Sequence, residues 1–171
     1  NKGDIIATST LDNNSKVIYD RTVPSDFTLG VVTALGGNII ENVWNLTNTG
    51  LEIVVPIESD TTLKNGWVQA REKIGLNNFE DLGISSSILQ ADIGGNKTLL
   101  YTAGQIESIT GFTENETITL EAILYDRPGN MKNGIESINI LEIDQTPASI
   151  FYRSYKSNFS DTTLATVGDQ I

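Results

Sequence analysis

Two short runs of one type, Asp20-Arg21-Thr22-Val23-Pro24 and Asp144-Gln145-Thr146-Pro147, each directly follow an apolar segment, Val17-Ile18-Tyr19 and Ile140-Leu141-Glu142-Ile143. From Asp20 to Asp144 the period is about 124 residues, enough for one whole structural unit and the joint to the next. The spacing predicts a module that begins and ends inside the chain, taken from a longer tandem array. The expected organisation is residues 1–21 as the terminal strand of a preceding module with its linker, 22–146 as a complete repeat domain, and 147–171 as a linker and the opening strand of a following module.

Of the 171 residues none is cysteine or histidine. That removes thiolate nucleophiles, Ser-His triads, histidine acid/base work and the Cys/His zinc sets together, and leaves carboxylate, lysine or tyrosine chemistry. A chain without cysteine can also sit in an oxidising compartment without mispaired disulfides. Eleven basic residues against 22 acidic ones leave a net charge of −11 with no Lys/Arg cluster. Nucleic acid is therefore not an expected partner, whereas cations are attracted to such a surface. No apolar run approaches the roughly 18 to 20 residues of a membrane span, so no membrane insertion is expected. If the protein is exported, its signal is expected upstream of this sequence.

Alternation of apolar and polar residues predicts strands. Leu51, Ile53, Val55 and Ile57 share one face, as do Ile118, Leu120, Ala122 and Leu124 against Thr117, Thr119 and Glu121. Val68, Ala70 and Ile74 lie opposite Trp67, Gln69 and Arg71. Pro56 predicts that its strand is an edge or stops there. Ile138 and Ile140 are out of phase with Leu141 and Ile143, which predicts a bulge near Ile140 or Leu141. Further strands are expected over 28–35, 38–44, 84–91 and 96–101, between turns such as Gly36-Gly37, Asn65-Gly66 and Gly94-Gly95. About eight short strands with turns between them predict an all-β sandwich. Thr102-Ala103-Gly104-Gln105 is a capping-box pattern, followed by Ile106 and Ile109, and predicts one short helix.

From Gly36 onward the chain resembles a bacterial immunoglobulin-like tandem repeat of large cell-surface and RTX-type adhesins. The segments that carry the resemblance are Val43-Trp44-Asn45-Leu46-Thr47-Asn48-Thr49-Gly50-Leu51, Asn78-Phe79-Glu80-Asp81-Leu82-Gly83, Gln105-Ile106-Glu107-Ser108-Ile109-Thr110-Gly111-Phe112, Ala122-Ile123-Leu124-Tyr125-Asp126 and Asp144-Gln145-Thr146-Pro147. Arg127-Pro128 stands where such repeats usually carry small residues. The resemblance implies an immunoglobulin-like β-sandwich with one short helix, flanked by partial neighbouring modules. It also implies an extracellular or cell-surface location and partners among neighbouring repeats of the same polypeptide.

In similar repeats, aspartates at domain junctions can coordinate calcium, and carboxylate and carbonyl oxygens gathered at a joint suit that ion. The candidate metal ligands are Asp126, Asn130 and Asp144 at one junction, and Asp20 with Asp12 at the other. The competing reading is that these residues shape turns, since no Asp-x-Asp-x-Asp-Gly loop is present. Glu52, Glu58, Asp60, Glu80, Asp81, Glu107 and Glu114 offer carboxylate pairs of the glycosidase type, but in so acidic a chain most carboxylates belong to solvated faces, and no enzymatic activity is expected. Trp44, Trp67, Tyr101, Tyr125, Tyr152 and Tyr155 would suit sugar stacking if several shared an exposed face.

Three functions remain. The first is a non-catalytic, stiff extender in an adhesin stalk, with short Thr/Pro linkers limiting bending. A second is a segment of an extracellular lattice or filament, such as a surface layer, joined to other copies of the chain by strand pairing. The third is a carbohydrate-binding module.

Overall fold

Leu51, Ile53, Val55 and Ile57 lose essentially all contact with solvent, and so do Ile118, Leu120, Ala122 and Leu124. Those two alternating faces bring two sheets together, because each can leave water only against the other. The computed structural model describes residues 20–147. In chain order the elements are β1 (Val32–Leu35), β2 (Val43–Asn45), β3 (Gly50–Ile57), β4 (Trp67–Ile74), β5 (Glu80–Asp81), β6 (Ser86–Ser87), β7 (Gly95–Thr102), α1 (Ala103–Glu107), β8 (Thr117–Tyr125), β9 (Met131–Asn133) and β10 (Leu141–Asp144). One sheet has the order β1-β3-β7. The other runs β2-β10-β8-β4-β5, with β6 also on β4 and β9 also on β8. The described residues are therefore an all-β, two-sheet structure with one short helix.

Between the sheets lie Trp44 from β2, Leu99 and Tyr101 from β7, Ile143 from β10 and Ile106 from α1. Full burial of each such aliphatic side chain contributes roughly 1.5–3 kcal/mol. The helix forms where the capping box predicts it. The Thr102 hydroxyl accepts the Gln105 N–H, and the Gln105 side chain accepts the Thr102 N–H at 2.9 Å. Together these bonds satisfy donors that the first turn leaves open.

Five sequence expectations need correction, the first being the strand expected over 28–35, which is ladder only over Val32–Leu35. Pro56 lies on the middle strand of its sheet, yet β1 covers only Gly50 to Ile53, with two further bonds at Val54, whose N–H donates to Val31 O and whose carbonyl accepts Gly30 N–H. Alternate residues point the same way, so the proline occupies a site whose missing N–H would face the side that β1 has left. There the first strand departs for the other sheet, where Thr28 bridges Ile135.

The expected bulge is a larger register slip. From Asn133 to Leu141 the chain advances eight residues while its partner on β8 moves back only five, from Ile123 to Ile118. Three extra residues are absorbed in an irregular stretch that leaves Ile138 and Ile140 exposed and begins a new strand at Leu141. The strand expected over 38–44 starts only at Val43, because Asn42 adopts a positive φ of 58° and turns the chain just before it. The strand expected over 84–91 shrinks to Ser86–Ser87. Ile84 and Leu89 there are solvated, so only the buried Ile88 anchors the segment.

Candidate functional site

The aspartates singled out in the sequence divide between the two ends of the module. β8 runs from Thr117 to Tyr125, and Asp126 follows at its far end. The Asp126 side chain is fully buried and fully used. Its Oδ1 accepts the N–H groups of Gly129 at 2.8 Å and Asn130 at 2.7 Å, and its Oδ2 accepts Asn130 Nδ2 at 2.7 Å. That arrangement shapes the turn into β9. Asn130 Nδ2 also donates to the backbone carbonyl of Asp20 at 3.1 Å. The point where the chain comes in is thereby fastened to the β8–β9 turn, and this is termed the leading end.

Asp144 sits elsewhere. Strand β10 is antiparallel to β8, with Glu142 opposite Thr117, so Asp144 leaves past the start of β8. At this trailing end Glu114 is the organiser: its carboxylate accepts the Gln145 N–H and the Thr146 hydroxyl, the latter at 2.7 Å. The Gln145 N–H, and after it the Thr146 hydroxyl, hold the Glu114 carboxyl below its ordinary range and keep it charged. The structure thus brings Asp20 together with Asp126 and Asn130 and separates Asp144 from them by the length of β8. Neighbours in sequence are not neighbours here, because a whole antiparallel strand intervenes. Asp12 lies outside the described residues.

Both copies of the signature make the same local bond: Asp20 Oδ1 accepts Thr22 N–H at 2.8 Å and Asp144 Oδ1 accepts Thr146 N–H at 3.2 Å. Each also lines a shallow depression. The leading one, about 290 Å³, is formed by Asp20, Thr61, Thr62, Lys64, Arg127 and Pro128 among others. The trailing one, about 370 Å³, includes Ile40, Asn45, Leu46, Asp144, Thr146 and Pro147. Among the described residues no group of three or more Asp or Glu is gathered closely enough to hold a metal ion.

The remaining candidates are dispersed. Glu58 accepts the Ser25 N–H, Asp60 caps the 3-10 turn at Thr61–Leu63, and Glu107 accepts Trp44 Nε1 at 3.2 Å. Trp44 is fully buried, and Trp67 stacks on Tyr125 with ring centroids 4.8 Å apart. Tyr152 and Tyr155 lie outside the described residues.

One group was not singled out from the sequence. Glu72 lies on the same face of β4 as Val68, Ala70 and Ile74, is fully buried, and neither carboxylate oxygen has a hydrogen-bond partner. Burial, and then the charge of Glu80 directly across on β5, push its carboxyl up to about 8. The period-two pattern held the signal, since position 72 falls between two inward residues.

No protein-family model, curated protein or solved structure matches this chain.

Proposed function

We propose that this chain carries an immunoglobulin-like repeat serving as a non-catalytic, stiff extender in the stalk of a secreted or cell-surface protein. The strand order β1-β3-β7 against β2-β10-β8-β4 corresponds to the A-B-E and G-F-C grouping of immunoglobulin sandwiches, which supports the finer fold reading. One observation carries the functional one: the two copies of the Asp-x-Thr signature leave opposite ends of β8, Asp20 tied to Asn130 and Asp144 followed by the Glu114 clasp. Modules joined through such ends add up lengthwise. The nine residues of β8 give each module an advance of ~30 Å.

A calcium ion is one way to hold such joints, with Asp20, Asp144 and neighbouring carbonyls as ligands completed by a second module. Thermal melting with and without millimolar calcium, on the chain extended through both neighbours, tests it. A rise of several degrees supports a joint ion by mass action; an unchanged midpoint leaves Asp20, Asp126 and Asp144 as turn formers.

A lattice or filament reading has its own supporting observation. Strand β7 pairs only with β3, so one side of its eight residues has no strand partner among the described residues. Assembly through that edge predicts ordered oligomers at high concentration, and a chain that stays monomeric by light scattering would count against it.

A further inference from the structure

Charge is distributed unevenly along the axis of the module. The segments that build the trailing end, residues 36–49, 75–79, 102–117 and 141–147, contain Glu41, Glu107, Glu114, Glu116, Glu142 and Asp144 and no lysine or arginine. Among the described residues, 20–147, the basic side chains lie elsewhere. Arg71, Lys73 and Lys97 sit along β4 and β7, each in an ion pair with a carboxylate of the same chain. Arg21, Lys64, Arg127 and Lys132 are at the leading end, and Lys132 is paired with Asp26. Lys64 and Arg127 are exposed, make no ion pair among the described residues, and line the same depression as Asp20.

The repeat connects these facts. Asp144 stands in the signature where Asp20 stands, and Asp20 shares its depression with Lys64 and Arg127. A second copy continuing from Asp144 would bring its own Lys64 and Arg127 to Asp144, beside Glu114, whose carboxylate is fixed by Gln145 and Thr146. The trailing depression offers exposed Ile40, Leu46 and Pro147 around those charges. An apolar floor with a charged rim is the composition of a modest inter-domain interface.

We propose that the trailing end of this module docks directly on the leading end of a second copy, Lys64 and Arg127 of that copy seating against Glu114 and Asp144. This rests on the stalk reading and adds its mechanism: stiffness comes from opposite charges at each joint, which also fixes head-to-tail polarity, because two trailing ends repel. Lys64 and Arg127, which make no ion pair among the described residues, would thereby meet a surface of the neighbour whose segments carry acidic residues and no lysine or arginine.

The test is a chain lengthened by one period, residues 1–143 followed by 20–171, whose rotational correlation time and maximum dimension are measured by NMR relaxation and small-angle scattering. The two modules are expected to tumble as one elongated body at low salt. They should uncouple near 1 M salt, where the Debye length falls to ~3 Å, with the correlation time roughly halved. Lys64→Glu with Arg127→Glu in the second copy should uncouple them at low salt, while the same changes in the first copy, whose leading end faces no module, should not. An elongated rigid pair indifferent to salt and to both charge reversals overturns charge docking and leaves the stalk standing. Rigidity lost on adding a chelator, but not on charge reversal, assigns the joint to a metal ion instead. A folded-back pair, which end-to-end docking cannot give, removes both the docking and the stalk, and so does independent tumbling under every condition.

Discussion

Asn130 Nδ2 donates to the backbone carbonyl of Asp20 at 3.1 Å across 110 residues of sequence, and the same nitrogen donates to Asp126 Oδ2 at 2.7 Å. One amide therefore holds the incoming chain and the β8–β9 turn together. Asn130→Ala removes both bonds, leaving Asp126 Oδ2 buried without its donor, and is expected to destabilise the fold by about 1–3 kcal/mol. Urea unfolding of the variant at unchanged m-value measures the loss, and amide exchange at Thr22 should rise with it. An Asn130→Ala protein with unaltered midpoint and exchange would show that the incoming segment is held by other contacts.

Glu72 makes stability depend on pH in an unusual direction for a carboxylate. Its folded value is raised to about 8, so the proton is kept in the folded state and given up by the unfolded chain from its ordinary value upward. The contribution is fully present below that ordinary value and is lost as pH rises through about 8. Glu72→Gln is expected to flatten the melting curve across that window. Glu72→Leu, which leaves no buried charge to form, should raise stability at pH 8.5 on the order of 2–4 kcal/mol. A parent protein that melts at the same temperature from pH 5 to pH 9 would contradict this.

Strong alternation made the main strands legible. Leu51 to Ile57 and Ile118 to Leu124 are inward on every second residue and form the facing walls of the core. Local polar signals were equally readable, as the Thr102 and Gln105 box shows. Less was legible where tertiary placement decides. Asn38 to Asn42 has strand-like composition, but Asn42 takes a positive φ and pairing begins only at Val43, opposite Glu142 of β10, a partner far away in sequence. The resemblance to junction-calcium repeats groups Asp126 and Asn130 with Asp144, but the two-sheet fold sends Asp126 and Asp144 to opposite ends of β8. The division of Asp126 and Asp144 follows from counting strands between them.

Trp67 and Tyr125 face each other across β4 and β8 as a directly paired couple, with rings 4.8 Å apart and 12° from parallel. Such pairs contribute ~0.5–1.5 kcal/mol beyond the area they bury. A double-mutant cycle with Trp67→Leu and Tyr125→Leu should return a coupling energy in that range. The same Trp67 reports on sugars: quenching or a blue shift of its fluorescence on adding oligosaccharides would favour a carbohydrate-binding surface, and a silent spectrum would favour a purely structural pair.

On the outer face of β4, Arg71 is the hub of a polar cluster. Its guanidinium donates to Glu121 Oε1 and to the Phe79 carbonyl, both at 2.8 Å, and lies 3.4 Å from Asp81. Its charge also sits 5.7 Å from the centre of the Phe79 ring. Burial raises the Glu121 carboxyl, and Arg71 opposes that rise. Removing Arg71 leaves a largely buried carboxylate with less compensation, so its value climbs further and the stability it costs grows as pH rises. Arg71→Ala is expected to lose about 1–3 kcal/mol at neutral pH and less near pH 4, where Glu121 takes up a proton in either state. Arg71→Lys keeps the charge but cannot make the forked contacts, so it should fall between parent and alanine variant. Equal destabilisation of Arg71→Ala at both pH values would mean that the side chain acts through packing on Phe79 and not through Glu121.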